Sequence, residues 1–313
     1  MKEFLINSND SGQRIDKFIK KAMPEMPESM MYRLIRKKDI KINGKRCGIS
    51  SVLNEGDIVR VYVKEDFESP KQHDMSFLKA EMPDIVYEDK NIIVVYKPVG
   101  LDSHSNGSGN DDTLINRIKH YLYEKREYVP EQENSFAPAL CSRLDRNTSG
   151  LVTSAKNAVA LREMNEAVRS GRVHKVYHCI TIAPPPKDSD IVTAYHKKDD
   201  TRNIVRISDE QQEGFREIKT GYKILKRKNN LCLLEVTLYT GRTHQIRGHL
   251  AHIGCAVLGD GKYGNTAVNK RYGVFRQMLS AYSLRFEFDE NSELAYLDGK
   301  EIKSELPDFE KNF

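Results

Sequence analysis

The sequence is poor in the features that mark disulfide-rich, zinc-binding and membrane-spanning proteins. Its five cysteines are odd in number and no two form a C-x-x-C pair, which excludes a complete disulfide framework and favours reduced thiols over a zinc site. The longest apolar run, residues 92–96, is far shorter than the about 20 residues of a membrane-spanning helix. The opening stretch MKEFLINSNDSG lacks the apolar segment of a signal peptide. We therefore expect a cytoplasmic protein without a membrane partner.

The basic residues are unevenly distributed, although the net charge is only +5. Between Ser29 and Cys47 the only acid is Asp39. The bases of that segment are Arg33, Arg36, Lys37, Lys38, Lys41, Lys45 and Arg46. Because this run continues from a predicted helix into a predicted hairpin, it favours a surface for an RNA phosphate backbone over the common alternative, the solvated face of a single helix.

Residues 1–66 have the pattern of one small domain. The stretches SGQRIDKFIKKAM and MMYRLIRKK predict two helices, and IVRVYV alternates as a strand. Asn43-Gly44 lies between two short strand-like segments, which is a strong signal for a β-hairpin. The pattern YRLIRKKDIKINGKRC followed by NEGDIVRV resembles the S-four RNA-binding domain, a small α/β domain, and this resemblance implies that residues 12–64 bind structured RNA.

The remaining chain predicts a second, larger domain. Residues 67–83 are mixed and polar, with proline and no periodicity, and predict a linker. From residue 84 to residue 313, strand-like stretches such as IIVVYK, LVTSA, LCLLEVTLY and SLRFEF alternate with a few helices, one near 112–124 and one after Asn157. Many long strands with few helices predict an α+β fold.

The segment CSRLDRNTSGLV places one acid, Asp145, between Arg143 and Arg146. The ordinary interpretation is a structural ion pair. Here the acid lies in a loop before an apolar strand, and Thr148-Ser149-Gly150 follows it, so that a backbone or a ligand can approach closely. An ionised, partly desolvated carboxylate in such a loop is a usable nucleophile.

Several motifs in order resemble the RluA-type pseudouridine synthases, which are RNA uridine isomerases. They are YEDKNIIVVYKPVGLDSH, RLDRNTSGLVTSAKN, GRVHKVYHC, YTGRTHQIRGHLAHIGCAVLGDGKYG and SELPDF, and they cover about residues 84–309. The resemblance implies a mixed, largely antiparallel sheet, no metal and no organic cofactor. It also implies an enzyme that acts on RNA, with large-subunit ribosomal RNA as the expected target and transfer RNA as the alternative. We expect a monomer.

The resemblance assigns roles to seven residues. Asp145 is the catalytic nucleophile, Tyr177 stacks on the uracil and is implicated in proton removal, and Arg247 pairs with the nucleophile. The substrate contacts that it implies are Arg143, which takes the place of the extruded base, Ile246, Arg242 and Lys175. Each role suits its side chain, because a flipped uridine needs an aromatic platform and a planar group to fill the gap in the stack.

The sequence departs from the family pattern at two positions. Ser142 stands where a histidine usually precedes R-L-D, and Ser280 stands where a histidine is usual between Leu279 and Ala281. These departures, with the basic N-terminal domain, leave open a noncatalytic RNA-binding or ribosome-assembly protein. A hydrolase that uses Asp145 on a glycosidic bond is a weaker alternative.

Three histidines, His244, His249 and His252, raise the question of a metal site. No acid or cysteine completes the set at ligand spacing, and the family that the chain resembles uses no metal. We therefore predict no metal site.

Overall fold

The computed structural model describes residues 1–63, 74–105, 107, 109, 111–199 and 201–313. The helices are α1 (Ile15–Ala22), α2 (Glu28–Lys37), α3 (Leu114–Glu124), α4 (Ala158–Arg169), α5 (Gln245–His252), α6 (Thr266–Tyr272) and α7 (Asp308–Lys311). The strands are β1 (Lys2–Leu5), β2 (Ile40–Ile42), β3 (Lys45–Arg46), β4 (Ile58–Val61), β5 (Asp84–Glu88), β6 (Ile92–Lys97), β7 (Ala139–Leu140), β8 (Ser149–Ala155), β9 (Val173–Thr181), β10 (Ser189–Asp199), β11 (Ile204–Ser208), β12 (Arg216–Lys228), β13 (Leu231–Leu238), β14 (Leu279–Phe286) and β15 (Glu301–Lys303).

The N-terminal domain packs α1 and α2 against a four-stranded antiparallel sheet of order β1-β4-β2-β3. The apolar face of α1 is completely buried, with Phe18 and Ile19 at 0 % exposure. Asn43 and Gly44 both have positive φ, 51° and 74°, as a two-residue hairpin turn between β2 and β3 requires. The predicted hairpin is therefore confirmed.

The larger sheet has the order β11-β10-β12-β13-β9-β14-β8-β6-β5, with β15 beside β14 and β7 beside β8. Neighbouring strands are antiparallel except β14 and β8. Strand β6 is buried on both faces: Ile92 and Val94 pack with Met164 of α4, whereas Ile93 and Val95 pack with Ile118 of α3. This architecture confirms the predicted α+β fold with a mixed, largely antiparallel sheet.

Some elements were not predicted from the sequence. Strand β10 is the longest of them; its exposed and half-buried residues alternate, and few are apolar enough to produce a hydrophobic pattern. Residues 67–73 of the predicted linker lie outside the described residues. Beyond them, Phe77 is 3 % exposed and packs against Tyr123 and Tyr128, so this residue of the predicted linker belongs to the core of the larger domain.

The two domains are joined by hydrogen bonds between polar side chains. The carboxylate of Asp10, which is completely buried, accepts hydrogen bonds from Ser135 Oγ at 2.6 Å and Asn134 Nδ2 at 2.7 Å. Gln13 Nε2 donates to Ser135 Oγ, and Asn9 Oδ1 accepts the backbone N–H of Ala158 at the start of α4. Within the described ranges, no helix has the length and apolar character that crossing a membrane demands.

Candidate active site

Six of the seven predicted site residues line one cleft, at the edge where the loop before β8, strand β9 and the start of α5 meet. They are Arg143, Asp145, Tyr177, Arg242, Ile246 and Arg247. Lys175, the seventh, comes two residues before Tyr177 on the same face of β9 and lies beside Cys141. It is not among the described residues that line the cleft. Burial lowers the pKa of Lys175.

The Asp145 side chain is 27 % exposed and opens to this cleft. Its Oδ2 accepts a hydrogen bond from Arg247 Nη1 at 2.7 Å. Arg146, the cation next to it in sequence, points elsewhere, because its Nε donates to the carbonyl of Gly100 at 3.0 Å. Arg143 is exposed at the cleft. The cation that neutralises Asp145 is thus Arg247, and Arg143 is free to meet a substrate.

Gly150 brings the chain that follows the Asp145 loop against β14, the neighbour of the strand that carries Tyr177. Its φ is +112°, and a Cβ at this position would lie 2.2 Å from the carbonyl oxygen of Ala281 in β14. Ala281 in turn lies opposite Tyr177 in the ladder between β14 and β9. The small residues after Asp145 therefore serve the close approach of two backbones, which only glycine permits.

A buried lysine holds the same loop from behind. Lys97 is 0 % exposed, and its ammonium donates to the carbonyls of Pro98, Leu101 and Arg146 at 2.8–3.0 Å. Burial lowers the pKa of Lys97 to about 8, while the three carbonyl acceptors and the nearby carboxylates favour the charged form. Lys97 lies within the motif YKPVG, yet its position beneath the loop could not be read from the sequence.

Arg247 is held between two carboxylates. Its Nε and Nη2 donate to the two oxygens of Asp260 at 2.6 and 3.0 Å, on the side opposite Asp145. Burial alone would lower the pKa of Arg247, but Asp260 and Asp145 outweigh burial and raise it. Asp260 is 1 % exposed and also accepts the backbone N–H groups of Lys262 and Tyr263. Asp260 therefore fixes the direction in which the guanidinium presents Nη1.

Tyr177 forms a buried wall of the cleft. Burial, and then the negative charge of Asp145, raises the pKa of its phenol. The ring is therefore neutral at physiological pH. Ile246, 4 % exposed, adds an apolar surface to the same cleft.

His244 is a second residue near Asp145 that the sequence did not single out for this site. It precedes α5 with a φ of 51°, and its Nε2 lies 3.8 Å from Asp145 Oδ2. Its Nδ1 lies 2.8 Å from the hydroxyl of Tyr263, which accepts the N–H of Val205 and can therefore donate its own proton to Nδ1. Burial lowers the pKa of His244 to about 4, so the imidazole is neutral at pH 7.

The three histidines discussed as metal ligands lie in separate environments. His244 contacts Tyr263, His249 contacts the hydroxyl of Thr220, and His252 pairs with Asp209. Among the residues that the structure describes, no three histidine, cysteine or acidic side chains are grouped as metal ligands.

The predicted RNA-binding residues lie on the surface of the N-terminal domain. Those with exposed side chains are Arg33, Arg36, Lys37, Lys38, Lys45 and Arg46. Lys41 is half-buried, with its ammonium over the ring of Tyr62. The surface spans the end of α2 and the β2–β3 hairpin, as the charge pattern predicts.

Comparisons with known proteins identify the family of this chain. A family model described as RNA pseudouridylate synthase matches residues 91–252. Ribosomal large subunit pseudouridine synthase C of Haemophilus influenzae is 31 % identical over 94 % of this chain and 89 % of its own length. A Mycoplasma capricolum protein named uncharacterized RNA pseudouridine synthase is 32 % identical over 96 % of this chain and 97 % of its own length.

Solved structures show the same fold. Human RNA Pseudouridylate Synthase Domain Containing 4 superposes with a TM-score of 0.57 at 22 % identity, covering 72 % of this chain and 89 % of that one. The family match and the relatives together extend over both the cleft and the N-terminal domain. The chain therefore belongs to the RNA pseudouridylate synthase family and is a pseudouridine synthase.

Proposed function

We propose that this enzyme converts a uridine of large-subunit ribosomal RNA to pseudouridine, with Asp145 as its nucleophile. The observation that supports this most is the position of the Asp145 carboxylate. One oxygen is held by Arg247, while the side chain remains partly exposed in a cleft walled by Tyr177. A carboxylate kept in place by an arginine and open on one side suits attack on a sugar carbon.

The reaction requires the uridine to leave the RNA stack. Arg143, exposed at the cleft, can fill the vacated position with its planar guanidinium, and Tyr177 can receive the extruded uracil on its ring. These contacts offset the few kcal/mol that base flipping costs.

Within the cleft, the bond between the ribose anomeric carbon and uracil N1 breaks, the uracil turns, and its carbon 5 bonds to the anomeric carbon. The proton on carbon 5 is then lost, and N1 of the product carries a proton, so atoms and electrons balance without an oxidant or water. Asp145 can attack the anomeric carbon or assist formation of a glycal. Since no step needs a Lewis acid or a redox group, we expect the enzyme to work without metal or cofactor.

The neutral state of Tyr177 favours a platform over a proton acceptor. A phenol whose pKa is raised by burial and by Asp145 is a poor base. We therefore assign Tyr177 the stacking role, and we assign Arg247 the role of orienting Asp145.

The ribosomal target is supported by the relatives and by the N-terminal charges. Several relatives with about 30 % identity over most of the chain are named ribosomal large subunit pseudouridine synthase C. In the described part of the chain, the six exposed bases of the predicted RNA-binding set form no ion pairs with carboxylates, so they remain available to phosphates. Transfer RNA is the alternative target, and we expect a monomer to suffice.

The test is a map of pseudouridine in cellular RNA from cells that lack the gene. At least one pseudouridine in large-subunit ribosomal RNA should disappear, return with the wild-type gene, and stay absent with Asp145→Asn, which keeps the shape but removes the charge. Asp209→Asn, which changes an exposed carboxylate outside the cleft, is the matched control and should restore the site.

Each contrary result has a distinct meaning. A loss confined to transfer RNA would move the target to that class. Full restoration by Asp145→Asn would disprove the nucleophile, and an unchanged map in the deletion strain would favour the noncatalytic RNA-binding alternative.

A further inference from the structure

A loop beside the cleft exposes an aromatic ring that neither the core nor the catalytic residues use. Phe275 is 74 % exposed, the largest value among the large apolar side chains in the described part of the chain. It belongs to residues 273–278, between α6 and β14, which we call the Phe275 loop. Single exposed apolar side chains are common on protein surfaces, so the case for a site here depends on the cations of the same segment and on the position of the loop.

The charges along this part of the chain have one sign. From Gly261 to Met278 the sequence contains four cations and no acid. Three of them, Lys270, Arg271 and Arg276, are exposed and lie within five residues of Phe275 in the chain, and the structure gives none of them an ion pair with a described carboxylate. An exposed aromatic ring on a segment with such cations suits an unpaired base and its phosphates.

The loop is held in place on both sides of the ring. The N–H of Val274 donates to the carbonyl of Asn269, and Gln277 Nε2 donates to Thr148 Oγ1 at 3.2 Å. Gly259 permits the closest contact, since a Cβ there would lie 2.1 Å from the carbonyl oxygen of Arg276. The backbone that carries Phe275 is therefore held in place by its neighbours. A residue that is already held in place loses little conformational entropy when a base stacks on its ring.

The loop also adjoins the catalytic loop directly. Thr148, the partner of Gln277, lines the cleft, and its N–H donates to the carbonyl of Asp145 at 3.0 Å. Arg276 Nη1 lies against Gly100, whose carbonyl accepts Arg146 Nε. The Phe275 loop therefore adjoins the loop that presents Asp145, where the RNA on either side of a uridine in the cleft can reach it.

We propose that the Phe275 loop is a second RNA contact, at which the Phe275 ring stacks on an unpaired base next to the target uridine and Lys270, Arg271 and Arg276 bind the adjoining phosphates. This inference rests on the proposed function, because the cleft must receive RNA. It assigns the loop a single-stranded partner, in contrast to the structured RNA expected for the N-terminal domain.

The test compares binding of a short fluorescein-labelled oligouridine with binding of an RNA duplex of the same length. Phe275→Ala and Phe275→Leu should each weaken oligouridine binding about tenfold, because neither offers a π-face, whereas Phe275→Trp should retain it. Duplex binding should change less than about twofold in all three variants, since paired bases cannot stack on the ring.

Two controls separate stacking from general effects. Tyr296→Ala removes another exposed ring, near Asn91 at the far end of β6, and should leave both affinities unchanged. The double variant Lys270→Ala/Arg271→Ala should lower the slope of log affinity against log salt by about 0.7 for each lost phosphate contact.

Wild-type oligouridine affinity in Phe275→Ala, or in Phe275→Leu, would overturn the proposal. The first result would show that the ring does not bind RNA, as expected if the loop serves a protein partner, and the second that stacking is not involved. Pseudouridine formation is measured separately in complemented cells. If oligouridine affinity depends on the Phe275 ring but the wild-type protein forms no pseudouridine, the RNA contact stands and the proposed activity is rejected.

Discussion

At the scale of single residues, Arg247 connects Asp145 to the interior. Its guanidinium has a fork of two N–H groups on Asp260 and a third N–H on Asp145. Because the fork is rigid and planar, the direction of Nη1 follows from the grip of Asp260. Asp260 therefore acts on the reaction indirectly, through Arg247, and it sets the orientation of Asp145.

We predict that Asp260→Asn lowers the single-turnover rate of pseudouridine formation by about 100-fold with little effect on RNA affinity. An amide accepts one N–H at most in this geometry, so the guanidinium rotates, and misplacement by about 1 Å can cost that factor. Rapid-quench kinetics and a binding titration on the same RNA measure the two quantities.

A double-mutant cycle distinguishes this role from a purely structural one. In an Arg247→Gln background, Asp260→Asn should cost far less, because the group through which it acts is gone. Equal losses in both backgrounds would show that Asp260 only supports its own turn.

At the scale of elements, helix α5 has two kinds of buried polar residue. Arg247 faces the cleft, whereas His249 is 1 % exposed in the core, with Nδ1 at 3.0 Å from Thr220 Oγ1. Burial, and to a lesser extent His252, lowers the pKa of His249 to about 4. The imidazole is consequently neutral in the folded protein at pH 7, and protonation would bury an unpaired charge.

We predict that His249 makes the protein less stable as the pH falls from about 6.5 to about 4. The unfolded chain, with an ordinary histidine pKa near 6.5, binds more protons in that window than the folded protein, so the free energy of unfolding decreases with falling pH. The contribution is complete above pH 6.5 and amounts to at most about 3 kcal/mol. Urea titrations at pH 7, 5.5 and 4 measure it.

The comparison is between His249→Gln and His252→Gln. The first keeps a polar group beside Thr220 and should flatten the pH dependence. The second removes a more exposed imidazole from the same helix and should alter it much less. Equal slopes for wild type and His249→Gln would contradict the assignment.

At the scale of the whole molecule, the two domains meet through hydrogen bonds, and among the residues that the structure describes no apolar cluster is shared between them. The buried carboxylate of Asp10 is the centre of this contact, with Ser135 and Asn134 as its donors. Buried polar groups of this kind are costly when unpaired, so the contact favours one relative placement of the domains. A fixed placement would hold the basic N-terminal surface at a constant position relative to the cleft.

We predict that Asp10→Ala destabilises the domain contact by about 2 kcal/mol, because two half-buried donors lose their buried acceptor. Hydrogen exchange should speed up in residues 5–13 and 133–136 and stay unchanged in β6. Adding Ser135→Ala should restore part of the protection, since it removes one unpaired donor. Unchanged exchange in Asp10→Ala would show that the contact does not hold the domains together.

Much of this molecule follows from local sequence. The buried run of β6, the Asn43-Gly44 turn and the helix that begins after Asn157 depend on residues close together in the chain, and the structure confirms each of them. The order of the motifs is also readable from the chain alone, and it predicts Asp145, Tyr177 and Arg247 as site residues.

The partners of those residues depend on the fold. The arginine adjacent to Asp145 turns away, and the one that binds it comes from 102 positions further along. Asp260, His244 and Lys97 reach the site in the same way, through strands and turns that meet only when the sheet forms. Periodicity and charge pattern report on neighbours along the chain, whereas these contacts result from packing between distant segments, on which local sequence carries no information.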